Sequence, residues 1–213
     1  MPKANLRKPS KKAAKAALLP FQRVKATKLE AQDITFKIVG KTPLLTDRMS
    51  EEAIDKVERK QTGNNEAVPL SPRNPEEEYE RSKYLIEANG RKVDAFPVGA
   101  FIDAMAEVSV YADGLDKKRV KAAVSAREEF AILHFKQVKM NRAMGRNSGI
   151  GGSRTPRYRA EYFDWWLELK LTIIPLLLSK DQVATLIYNA GTAIGVGNWT
   201  RQHSGFRGAF EVK

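Results

Sequence analysis

The sequence predicts an α+β fold in which an antiparallel sheet is backed by helices. Two observations lead to this prediction. Segments whose apolar residues recur at every second position, as in strands, are interspersed with segments whose apolar residues recur at every third or fourth position, as in helices. In addition, Asn89-Gly90 lies between two strand-like runs, and this dipeptide is a strong signal for a β-hairpin, whose strands are antiparallel.

The first predicted strand begins at Asp33 and is broken at Gly40, because apolar and polar side chains largely alternate between them. Ser50 is a suitable N-cap for a helix, which is predicted to end near residue 62. Residues 62–78 are rich in Pro, Asn and Glu and are predicted to form a loop. The residues expected on the buried side of this first helix are Ala53, Ile54 and Val57.

The middle of the chain is predicted to contain a hairpin, two helices and a strand. The hairpin covers residues 83–96, and Pro97 is expected to close its second strand and open the longer helix. A shorter helix is predicted over 117–125, and a strand over 130–138. The residues expected on the buried face of the longer helix are Phe101, Ala104, Met105, Val108 and either Tyr111 or Ala112.

The last third of the chain begins with a segment that has no strand or helix pattern. Residues 140–159 hold five arginines, four glycines and no acidic residue, which favours a flexible basic finger. A long strand is predicted over 162–173, and Ser179 with Gln182 forms a capping box that begins a helix. A short strand is expected to close the chain. This order of elements resembles two βαβ-like halves with insertions, which favours a ferredoxin-like, or RRM-like, arrangement.

Charge and composition restrict the possible functions. Lys and Arg number 37 against 25 Asp and Glu, a net charge of +12, which favours polyanionic partners, nucleic acid ahead of anionic membranes. The chain has no cysteine, so disulfides, thiolate metal sites and cysteine nucleophiles are excluded. No apolar run approaches the ~20 residues of a membrane span. We expect residues 1–30 to form a disordered basic tail and residues 31–213 a single domain, located in the cytoplasm.

Two basic segments have the composition of a nucleic-acid clamp. Arginines on a glycine-rich segment can follow a phosphate backbone, aromatic side chains can stack on bases, and glycine amides can approach phosphate oxygens. The candidates in the finger are Arg142, Arg146, Arg154, Arg157 and Arg159. The candidates in the loop near the C-terminus are Gly195, Gly197, Trp199, Arg201, His203, Gly205, Phe206, Arg207 and Gly208.

Evidence for catalysis is weak in the sequence. His203 lies in the basic loop, where it is a candidate general acid or base for RNA cleavage, and Asp47 is a second candidate acid. Turn formation or helix capping accounts for Asp47 equally well. The other histidine, His134, lies in an apolar strand and is expected to be structural. No residue spacing predicts a metal site, a Walker-type loop or a cofactor.

The closing run GVGNWTRQHSGFRGAFEV, which follows a helix, resembles the C-terminal glycine-rich loop of the RAMP superfamily. These are ferredoxin-like RNA-binding proteins of CRISPR effector complexes, and the resemblance extends in particular to the backbone subunits that polymerise along guide RNA. The run also looks like proteins encoded by bacteriophages and prophages. The resemblance implies that Gly195, Gly197, Arg201, Gly205 and Gly208 lie along the bound strand.

We therefore expect a non-catalytic protein that binds single-stranded nucleic acid, RNA in preference to DNA, and self-associates along the strand. A metal-independent RAMP-type ribonuclease that uses His203 is one alternative. A virus structural protein that packages the genome with its basic tail is another. No cofactor, metal or membrane partner is expected, and a phage-encoded protein would act in the host cytoplasm.

Overall fold

The computed structural model describes residues 27–49, 54–55, 58–59, 61–63, 73–146 and 154–213. Most of the predicted tail, together with Ala53 and Val57, lies outside these residues. Ten strands and four helices follow one another in the described ranges. The strands are β1 (Gln32–Gly40), β2 (Leu44–Leu45), β3 (Tyr84–Ala88), β4 (Arg91–Pro97), β5 (Val124–Ala126), β6 (Phe130–Ile132), β7 (Gln137–Arg146), β8 (Arg154–Phe163), β9 (Trp166–Ile173) and β10 (Phe210–Val212). The helices are α1 (Pro75–Arg81), α2 (Gly99–Val108), α3 (Lys117–Ala123) and α4 (Lys180–Ala193).

The central sheet has four strands in the order β10-β1-β9-β5, and each neighbouring pair is antiparallel. Because β9 lies antiparallel between β1 and β5, these two strands run parallel to each other. Helix α2 lies between β1 and β5 in the sequence, and α4 lies between β9 and β10. The chain path is therefore βαββαβ with two inserted pieces of sheet, which is the ferredoxin-like topology. The predicted α+β fold with antiparallel sheets and helices is confirmed.

Helices α2 and α4 pack against each other and against this sheet. Alternate residues of β9, Leu167, Leu169 and Leu171, are fully buried, as the period of two in a strand requires. The predicted face of α2 is buried at Phe101, Ala104, Met105 and Val108. Helix α4 buries Val183, Leu186, Ile187 and Ala190. The capping box of Ser179 and Gln182 at the start of α4 is also confirmed, since each side chain accepts a hydrogen bond from the backbone N–H of the other.

Two smaller sheets extend from this core. One has the order β3-β4-β6 and contains the predicted hairpin, whose turn residues Asn89 and Gly90 both have positive φ. The other has the order β2-β8-β7. Strands β7 and β8 pair over ten residues each, from Gln137↔Phe163 to Arg146↔Arg154, and form a long antiparallel hairpin.

Several predicted elements differ from those observed. The segment 140–159 is not an irregular loop, because residues 140–146 and 154–159 are paired strand residues and the gap between them is outside the described ranges. The shorter helix ends at Ala123, where the backbone turns into the three-residue strand β5. The predicted strand over 130–138 is interrupted after β6. The predicted strand over 162–173 is divided at Asp164, which has a φ of 51°.

Two apolar side chains predicted to be buried are exposed: Ile54 at 42% and Tyr111 at 80%. Tyr111 lies beyond the end of α2, in the 3-10 turn Ser109–Tyr111, where the tighter winding moves it off the buried face. Ala112, the alternative to Tyr111 on that face, is only half-buried. None of the helices in the described ranges is long and apolar enough to cross a membrane.

Candidate nucleic-acid interface

The β7–β8 hairpin carries its charged residues on two distinct faces. Arg142 lies opposite Tyr158, while the neighbouring pair is Asn141 with Arg159, so the two arginines belong to opposite faces. The face of Arg142 also bears Met144, which is 57% exposed, and Arg142 is itself exposed. Arg154, at the far end of β8, is exposed as well. This face therefore presents cations and apolar surface to solvent.

The opposite face of the hairpin meets the C-terminal loop, residues 194–209, in a cluster of ion pairs that we call the junction. Arg207 Nε donates to Glu161 Oε1 at 2.6 Å, with both side chains only 11% exposed. Arg159 Nη2 lies 2.6 Å from Asp47 Oδ2. The amides of Asn141 and Asn198 complete the cluster by donating to Glu161 and Asp47, respectively. The junction thus fixes the loop against the base of the hairpin.

Two of the predicted binding arginines, Arg159 and Arg207, have their charge directed at protein carboxylates in this arrangement. Arg159 is 8% exposed, and its Nε and Nη1 atoms are buried. A buried cation is retained only when it is paired, because desolvation of an unpaired charge costs several kcal/mol. Both residues therefore position the loop and the hairpin.

The glycines of the loop allow close internal packing. A Cβ at Gly208, where φ is +70°, would overlap the carbonyl oxygen of Val196. The N–H groups of Gly195, Gly205 and Gly208 donate to the carbonyl oxygens of Ala190, Thr200 and Pro43, respectively. These three amides therefore already have hydrogen-bond acceptors within the protein. Gly197 is exposed, and a Cβ there would lie 2.6 Å from the carbonyl oxygen of Leu45.

The aromatic side chains of the loop surround the Arg207 guanidinium. Its Cζ lies 5.2 Å from the ring centroid of Trp199 and 4.7 Å from that of Phe206. Trp199 is half-buried, whereas Phe206 is 60% exposed. Trp199 therefore belongs to the packed part of the loop, and Phe206 presents a ring edge or face to solvent.

Arg201 and His203 lie in the 3-10 turn Arg201–His203 and are both exposed. Arg201 Nη1 donates to the carbonyl oxygen of Thr192 at 2.7 Å, so the guanidinium caps the last turn of α4. The imidazole of His203 has its Nδ1 atom 3.3 Å from the Thr200 hydroxyl. Among the described residues, no carboxylate is hydrogen-bonded to this ring, and no cluster of three metal-ligating side chains occurs.

The structure brings Arg159, Asp47 and the C-terminal loop together at the junction, whereas Arg142 and Arg154 lie on the other face of the hairpin. Arg157 is half-buried beside Gly145, and the side chain of Arg146 lies outside the described ones. Asp47, a candidate catalytic acid, is an ion-pair partner in the junction. Sequence reasoning missed Glu161, which holds Arg207 in the junction. The one available signal for Glu161 was an acidic residue two positions after Arg159, between the basic segment 140–159 and the predicted strand 162–173.

Comparison with known proteins gives a distant structural similarity. No protein-family model and no curated protein matches the chain. The crystal structure of Cmr6 from Pyrococcus furiosus is similar with a TM-score of 0.42 and 12% sequence identity, covering 87% of this chain and 100% of that one. The ferredoxin-like topology given above follows from the strand order of this chain itself.

Proposed function

We propose that this protein binds single-stranded nucleic acid without cleaving it, RNA in preference to DNA, and that further copies associate with it along the strand. The observation that carries the proposal is the junction, which holds two cation-bearing segments, the β7–β8 hairpin and the C-terminal loop, side by side. Membership of the RAMP superfamily is part of the same proposal, and it is the source of the preference for RNA.

The exposed cations supply the affinity for phosphate in this account. Arg142 and Arg154 lie on the hairpin and Arg201 on the loop, and all three are exposed. Each guanidinium that neutralises a phosphate releases condensed counterions, so binding weakens with salt and is insensitive to base sequence. The net charge of +12 adds a long-range attraction that favours encounter with the polyanion.

The exposed aromatic residue of the loop supplies a stacking surface. Phe206 is held in place because Arg207, which is fixed by Glu161, lies against its ring. Base–aromatic stacking contributes about 1–3 kcal/mol per base and accepts every base. The faces of the bases are accessible in a single strand but are stacked on one another in a duplex, which is why we propose a single-stranded ligand.

The experiment is a binding titration of fluorescently labelled 30-nucleotide RNA and DNA, single-stranded and duplex, with the purified protein. Tight binding of single-stranded RNA with weaker binding of duplex is the expected result. Equal affinity for duplex and single strand would contradict the proposal. Sizing of the protein with and without the oligonucleotide tests the association, because assembly without nucleic acid would favour a virus structural protein.

The same samples test the absence of cleavage. We expect the RNA to remain intact after prolonged incubation with the wild-type protein. Clean cleavage that disappears in His203→Ala would contradict the proposal and support a ribonuclease. Cleavage that persists in that variant and co-purifies with the protein would also contradict the proposal and would assign the activity to other residues, of which Asp47 is the second candidate.

A further inference from the structure

A groove of about 280 Å³ lies between the 3-10 turn after α2 and the C-terminal half of α4. Val108 and Leu186, both buried, form its apolar floor. Two exposed aromatic side chains line it, Tyr111 at 80% and Tyr188 at 55% exposure. Asn189 and Thr192 add polar groups to the lining. The groove therefore combines flat aromatic surface with hydrogen-bonding groups at its edge.

These tyrosines are not accounted for by the packing of the fold. The buried faces of α2 and α4 are complete without them. A cluster of large exposed side chains around an apolar depression is typical of a binding surface. A tyrosine ring with its hydroxyl suits a ligand that is flat, apolar on its faces and polar at its edges, which describes a nucleobase.

The groove is contiguous with the proposed interface. Thr192 lines the groove, and its carbonyl oxygen accepts the 2.7 Å hydrogen bond from Arg201 of the C-terminal loop. The guanidinium of Arg201 is thus fixed within one residue of the groove. The loop is in turn joined to the hairpin by Arg207 and Glu161. Arg201 is thus the exposed cation of the proposed interface that lies next to the groove.

Charges of both signs lie near the groove, since Asp113, an exposed acid, directly follows the lining residue Ala112. The acidic residues on the exposed side of α2 are ion-paired, Glu107 with Lys117 at 2.6 Å and Asp103 with Lys121 at 2.7 Å. Arg201, held on the carbonyl oxygen of Thr192, gives the groove's loop side a positive charge that is suited to the phosphate of a nucleotide whose base enters the groove.

We infer that the groove takes an unstacked nucleobase of the bound single strand, with the base lying against Tyr111 and Tyr188 and its phosphate on Arg201. The inference rests on the proposed function, since it assigns a base subsite to the same ligand. Asn189 would meet the edge of the base and contribute to any preference among bases.

The test compares Tyr111→Ala/Tyr188→Ala with the matched variant Tyr111→Phe/Tyr188→Phe. Each is titrated against a labelled oligonucleotide, and against an oligonucleotide that carries 2-aminopurine, whose fluorescence is quenched by stacking. We expect the alanine variant to bind about tenfold more weakly, the loss of roughly one stacked base. The phenylalanine variant should retain wild-type affinity and quenching. The salt dependence of binding should be the same in all three proteins, because no phosphate contact is removed.

The possible results distinguish the base subsite from the proposed function. Wild-type affinity and quenching in the alanine variant would overturn the base subsite and leave the proposed function standing. Failure of the wild-type protein to bind any oligonucleotide would overturn both. A change in elution volume of the alanine variant without nucleic acid would overturn the base subsite in favour of a contact between copies of the chain. Should the double variant unfold, Tyr111→Ala alone serves, because that side chain is 80% exposed.

Discussion

Arg142 and Arg159 belong to neighbouring residue pairs of one hairpin, yet they have opposite environments. Arg142 is exposed on one face of the ribbon, whereas Arg159 is 8% exposed on the other and is ion-paired with Asp47. The same contrast separates exposed Arg201 from Arg207 in the C-terminal loop. A basic segment thus contains two kinds of arginine. One kind, directed at protein carboxylates, builds the interface, and the other is available to a ligand.

The largest effect is expected when the carboxylate at the centre of the junction is removed, which tests whether the paired arginines are structural. Glu161→Ala leaves the Arg207 guanidinium without its partner in a site where both side chains are 11% exposed. We expect a loss of about 3–5 kcal/mol in the free energy of unfolding, which is typical of a broken buried ion pair. Urea denaturation measures it.

Glu211→Ala is the matched control, because it breaks only exposed ion pairs, those of Glu211 with Lys41 and Lys213, whose side chains are 56% and 61% exposed. That change should cost less than about 1 kcal/mol. Equal losses in the two variants would show that the junction is not a buried ion pair. Replacing both partners, as in Glu161→Leu/Arg207→Met, should recover most of the stability, since no unpaired charge remains.

The second prediction concerns the close packing of the loop. Gly208→Ala combines left-handed backbone, at about 1–2 kcal/mol, with an overlap on the Val196 carbonyl that adds about 1–3 kcal/mol. Gly90→Ala is its control, because Gly90 has nearly the same φ, +71°, with nothing near the added Cβ. Thermal melts of both variants give the difference. Equal destabilisation would mean that the loop has room at residue 208.

The third prediction concerns the buried end of β8, where the Tyr162 hydroxyl donates to Asp94 Oδ1. Burial, followed by the hydrogen bond and charge of Asp94, raises the pKa of Tyr162 above its usual value near 10. A raised pKa in the folded state means that this contribution to stability is complete below about pH 10 and is lost as the pH rises further.

Tyr162→Phe should cost about 1.5–3 kcal/mol at neutral pH, because it leaves the Asp94 carboxylate without a donor. It should also flatten the fall in stability above about pH 10. Denaturation series at pH 7 and at alkaline pH check both. A variant that loses stability with pH as steeply as the wild type would show that Tyr162 does not control the alkaline limb.

The smallest effect on stability is expected at the exposed arginines. Arg142→Ala/Arg154→Ala should change the free energy of unfolding by less than about 0.5 kcal/mol, as surface substitutions do. A larger loss, measured by the same urea titration, would place these side chains with Arg159 among the structural residues.

The sequence predicted those parts of the fold whose signals are local. The capping box at Ser179 and the hairpin turn at Asn89-Gly90 depend on neighbouring residues, and both were found where expected. The strands of the finger were missed because arginine and glycine have no strong preference for strands. These residues form strands here because β7 and β8 satisfy each other's backbone hydrogen-bonding groups. The three-residue strand β5 is too short to show a period.

From the sequence, the candidate site could be predicted only as two segments rich in arginine and glycine. The sequence did not show which of these arginines are ion-paired with protein carboxylates and which are exposed. Glu161 and Asp47 are 46 and 151 residues away from their loop partners, Arg207 and Asn198. Such long-range pairs depend on the tertiary fold. The aromatic groove was missed for the same reason, since Tyr111 and Tyr188 come from different helical elements.

The most direct test of the account is the salt dependence of single-stranded RNA binding by Arg142→Ala/Arg154→Ala, with Arg91→Ala/Lys92→Ala as a control that removes two exposed cations from the other hairpin. Each phosphate contact contributes about 0.7 to the slope of log K against log salt concentration for a single strand. We predict that the slope of the Arg142/Arg154 variant decreases in magnitude by about 1.4, two contacts' worth, while the control keeps the wild-type slope. Identical slopes in the wild type and the Arg142/Arg154 variant would contradict the proposed interface.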